Sequence, residues 1–80
     1  MTLKYQNYLF DLGDEIKRRA LEARNARESA SSGSPEYMFQ SGRVLAFNEV
    51  ISIMQQSAAG FDIPLSDIRL NDIEPDRDLT

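Results

Sequence analysis

Cysteine and histidine are both missing from this chain. Without cysteine there is no disulfide and no thiolate metal site, and without histidine the commonest metal ligand and the usual general base are gone. No apolar run approaches the ~20 residues needed to span a bilayer, and the start, Met1-Thr2-Leu3-Lys4, has no basic segment leading into an apolar one. The reading is therefore a cytoplasmic protein with no membrane partner. At 80 residues it is one small domain, residues 1–80, that buries a modest share of its surface. With disulfides and metals excluded, partner subunits are the remaining means of support. The net charge of −4 is also unevenly placed. Residues 1–60 hold seven basic and seven acidic side chains, and residues 61–80 hold two and six, so all the net charge lies in the last twenty positions.

What is present is helical periodicity, divided by Ser29-Ala-Ser-Ser-Gly-Ser-Pro35. The first helix is expected over about 3–30, with Thr2 as N-cap and a narrow stripe of Tyr5, Leu9, Leu12, Ile16, Ala23, Ala26 and Ala30. The stripe is bulky in its first half and alanine-rich in its second. Gly13 lies just off it, a local weakness of ~1 kcal/mol relative to Ala. After a loop at 31–34, the second helix is expected over about 35–59. Its signals are Ser34 as N-cap, Pro35 at N1, Gly60 as the C′ residue and Phe61 as the hydrophobic C″ residue. It carries two apolar stripes side by side: Tyr37, Val44, Phe47, Ile51, Met54 and Ala58, and then Phe39, Ala46, Val50 and Ile53.

In an antiparallel hairpin, positions whose numbers sum to about 65 lie side by side, setting Ala26 by Phe39, Ala23 by Gly42, and Leu12 by Ile53 or Met54. One partner helix needs less apolar arc than the second helix offers. The expected fold is thus an all-α antiparallel hairpin with an irregular C-terminal strap, dimerising into a four-helix arrangement through Phe39, Gly42, Ala46, Val50 and Ile53. The strap, 60–80, has apolar residues every two or three positions from Phe61 to Ile73. One helical turn at Leu65–Ile68 is expected after Pro64, with fraying after about Pro75.

No group of residues reaches a catalytic or cofactor-binding signature, and none is expected to hold a metal. Asp72, Glu74, Asp76 and Asp78 alternate like the opening of a calcium loop, but Arg77 stands where that loop needs glycine. They read as a solvated acidic terminus. Asp11, Asp14 and Glu15 read as a soluble helix face rather than an acid pair. The basic cluster is the strongest surface candidate: Lys17, Arg18, Arg24 and Arg27, with Arg19 beside them. It could form intrahelical pairs with Glu15, Glu22 and Glu28, bind a phosphate backbone, or dock a protein or the chain's own acidic terminus.

The segments Gln40-Ser-Gly-Arg-Val-Leu-Ala-Phe-Asn-Glu-Val-Ile-Ser-Ile-Met-Gln-Gln56, Phe61-Asp-Ile-Pro-Leu65 and Asp76-Arg-Asp-Leu79 resemble small uncharacterised helical-hairpin proteins of proteobacteria and their phages. The resemblance spans the second half of the chain. It implies a bacterial or phage origin and a compact helical fold, and it carries no functional residue. The expected function is a non-enzymatic adaptor, regulator or inhibitor that binds another bacterial protein. A nucleic-acid-associated accessory protein using the basic face is the lesser alternative.

Overall fold

The computed structural model describes residues 3–80, so the N-cap expected at Thr2 lies outside the described residues. Two long helices, α1 (Leu3–Ser29) and α2 (Pro35–Gly60), form the hairpin. A single 3-10 turn (Leu65–Ile68) and the one-turn helix α3 (Pro75–Asp78) follow. There is no strand among the described residues. The long dimension of 46 Å slightly exceeds the ~40 Å that a 27-residue helix spans at 1.5 Å per residue.

α2 starts as its sequence dictates. Ser34 accepts the Tyr37 N–H at 3.1 Å and Pro35 occupies the first turn, where it has no donor to lose. Its C′ position lies two residues later than expected. Gly60 stays helical, and the left-handed residue is Asp62 (φ 56°). Ile63 N–H donates to Ala58 O at 2.8 Å and Asp62 N–H to Ala59 O at 3.1 Å. These are the two bonds of a Schellman closure with Asp62 at C′ and Ile63, not Phe61, at C″. Ile63 packs on the core, whereas Phe61 is 76% exposed.

The core has two sources. Ala20 and Ala23 on α1 and Val44, Ile51 and Ala58 on α2 form the hairpin contact, and Ile68, Leu70, Ile73 and Leu79 come from the C-terminal segment. Four of the nine buried hydrophobics among the described residues thus lie beyond the hairpin. The expected pairing of Ala23 with Gly42 does not occur, and Phe39, expected beside Ala26, is not buried. Phe39 is 62% exposed, and a Cβ built on Gly42 meets nothing within 4 Å. Ile53 is also exposed, while Met54 packs on the core. α2 is rotated so that its first stripe alone faces inward.

The strap does not fray at Pro75. The missing N–H that stops a helix from continuing into proline also suits proline to begin one, and Pro75 is the buried first residue of α3. Leu79 beyond it is fully buried. Gly13 is likewise no mere weak point. The 3-10 turn crosses α1 there, and a Cβ on Gly13 would stand 1.7 Å from the Ile68 carbonyl oxygen. Only glycine permits the two backbones to approach this closely.

Candidate interaction surface

Polar side chains on one flank of α2 hold the C-terminal segment. Asn48 Nδ2 donates to the carbonyl oxygens of Pro75 at 2.9 Å and Leu79 at 3.1 Å, and Ser52 donates to Asn48 Oδ1 at 3.4 Å. One turn further, Gln55 Nε2 donates to Leu70 O at 3.0 Å and Ile73 O at 2.9 Å. An irregular backbone leaves carbonyls such as those of Ile73 and Leu79 without ladder partners, and these amides supply them; the Pro75 carbonyl also accepts the Leu79 N–H at 2.8 Å. Sequence periodicity gave no sign of this role, because polar residues on a helix flank look alike whether they face water or a strap.

The basic cluster of α1 divides in space. Lys17 is buried, its stem packed and its Nζ 2.9 Å from Asp72 Oδ1. The hydrogen bond from Lys17 is the main cause holding the Asp72 carboxyl below its ordinary value. Arg24 Nη1 reaches the Asp78 carbonyl oxygen at 3.5 Å. Arg18 pairs with Asp14 at 3.3 Å and with Glu15, and Arg19 with Glu15 at 2.8 Å, all on α1 itself. Arg27 has no ion pair with the described residues.

Of the acidic terminus, Asp72 meets the basic helix, while Glu74 and Asp76 are exposed. Asp78 takes the Arg77 guanidinium at 2.8 Å and the Glu74 N–H at 2.9 Å. Arg77 first, then that N–H, pulls its carboxyl down to about 2. Arg69 is one of two cations in the acidic segment, and nothing in its local sequence assigns it a role. It is left-handed (φ 59°) and reaches back over the Phe10 ring at 5.4 Å and toward Asp14 at 3.5 Å.

The opposite flank of α2 is bare. At 100° per residue, Phe39, Ala46, Val50 and Ile53 fall within an arc of about 60°, roughly opposite Asn48, Ser52 and Gln55. All four are exposed, as is Gly42 at the edge of the arc. At the open end of the hairpin this stripe runs into an apolar pocket of about 240 Å³, lined by Leu9, Ile53, Met54, Ser57, Phe61 and Ile68 among others. The expected interface residues therefore lie together on one uncovered face. The expected docking residues are mostly engaged with the chain's own carboxylates and carbonyls. No family model, curated protein or solved structure matches this chain.

Proposed function

We propose that the chain is a non-enzymatic interaction protein that works as a homodimer, with the bare flank of α2 as its self-association surface and the assembled four-helix unit as the platform that binds another protein. The observation that carries this reading is the exposed stripe Phe39, Val50 and Ile53 on the flank of α2 opposite the one the strap covers, with Met38 and Leu45 also exposed on the same helix. A contiguous apolar strip rimmed by polar groups marks an interaction site in a soluble protein. The engagement of Lys17, Arg18, Arg19 and Arg24 within the chain favours a protein partner over a nucleic-acid backbone, which needs free cations. An adaptor or an inhibitor acting by surface occlusion fits an elongated hairpin that offers an apolar stripe along one flank.

Light scattering after size exclusion tests the first step. The wild-type chain of 9.1 kDa gives twice that mass at micromolar concentration. Val50→Arg gives a helical monomer, because the charge would be buried unpaired in the dimer at a cost of several kcal/mol. A wild-type monomer at all concentrations removes the reading.

A further inference from the structure

The bare flank of α2 is self-complementary in one register. We infer that two copies pack α2 against α2 antiparallel about a twofold axis at Ala46, so that Phe39 of each copy fills the open-end pocket of the other. This rests on the dimer reading above and adds its geometry. A twofold interface pairs residue i with j and j with i. With Ala46 on the axis, position numbers sum to about 92, which sets Gly42 beneath Val50 and Phe39 at Ile53.

Each pair joins a projecting side chain to a space. Nothing lies within 4 Å of a Cβ on Gly42, so Val50 of a second copy has room there. Phe39, 62% exposed, arrives at a pocket of about 240 Å³ into which Ile53 and Ser57 of the same stripe open. A dry cavity of about 150 Å³ already holds a benzene ring. A parallel pairing would instead set Phe39 on Phe39 and Gly42 on Gly42, leaving a gap at the centre and the pocket unfilled.

The area also suits a second copy. Taking about 200 Å² for a free phenylalanine and somewhat less for the aliphatics, Phe39, Val50, Ile53 and Phe61 still present roughly 450 Å². The small and polar residues between them bring the patch toward the ~800 Å² per partner of a standard interface. α1 is compatible with the antiparallel sense, since at 100° per residue Tyr8, Leu12 and Ala26 share one flank, with the two bulky residues at the open end and Ala26 at the loop end. Reversing one copy sets bulk on alanine.

The absence of native cysteine makes the test clean. Gly42→Cys and Val50→Cys chains mixed one to one under mild oxidation form an inter-chain disulfide, and neither variant alone does so, because identical positions stand about 12 Å apart along antiparallel helices in this register. Light scattering on the same mixture before oxidation reads assembly independently. A dimer without the 42–50 bond, or one in which Gly42→Cys bonds to itself, overturns the register and leaves dimerisation standing. A monomer overturns both. Phe39→Ala gives a second reading that does not depend on oxidation. It weakens the dimer at least about tenfold, as loss of an aromatic anchor seated in a pocket does, whereas Met38→Ala, exposed but off the stripe, leaves it unchanged. Equal effects of the two variants contradict the seating of Phe39.

Discussion

Two glycines of α1 and α2 separate what helix propensity says from what packing demands. Gly13→Ala would gain ~1 kcal/mol on an exposed helix, yet here its methyl group meets a backbone oxygen that cannot rotate away. We expect a net loss of about 1–3 kcal/mol by urea denaturation. Gly60→Ala, with open space around it and a helical backbone, gains up to ~1 kcal/mol. Were Gly60 the left-handed cap that its position in the sequence suggests, the same change would destabilise. The Lys17–Asp72 pair is asymmetric in the same informative way. Asp72→Asn leaves a nearly buried ammonium without its counter-charge and costs about 1–2 kcal/mol, less than the ~3–5 of a fully buried pair because Asp72 is 58% exposed to screening water. Lys17→Met keeps the packed stem and costs less, which chemical denaturation of the two variants resolves. Asp72 and Asp78 both titrate below the ordinary 3.8 in the folded chain. On acidification the unfolded chain takes up protons first, so both contributions are present above the ordinary aspartate range and are lost as pH falls below it, that of Asp78 as pH approaches about 2. A pH series of melting temperatures shows this decline, and Asp72→Asn flattens part of it.

At the scale of elements, the C-terminal segment is a third layer of the core. Truncation after Glu74 removes Leu79, fully buried, together with Pro75 and the carbonyls that Asn48 serves. Burial of one leucine alone is worth about 2–3 kcal/mol, so a fall in melting temperature of order 10 °C is expected. An unchanged melting curve would make residues 75–80 a free tail. The two long helices and their loop could be read from periodicity and from Ser34-Pro35, because both signals are local. The 3-10 turn after Pro64 was legible for the same reason. The rotation of α2, the burial of Lys17 and the role of Gly13 were not. Each depends on where the strap crosses the hairpin, and nothing within a few residues of those positions encodes that path. Pro75 was legible as a boundary and ambiguous in sense, since the same ring ends one helix and starts another.

For the whole molecule, the double stripe of α2 was visible in the sequence as an excess of apolar arc. What the fold adds is the division of that arc: one stripe inside, one polar flank under the strap, and one stripe bare. The central claim is that the bare stripe is closed by a second copy, which makes folding stability inseparable from protein concentration. Thermal denaturation followed by circular dichroism over a hundredfold range of concentration tests this most directly, with Val50→Arg alongside. The melting temperature of the wild-type chain is expected to rise with concentration and that of Val50→Arg to stay constant. A wild-type melting temperature that does not move over that range would contradict the account.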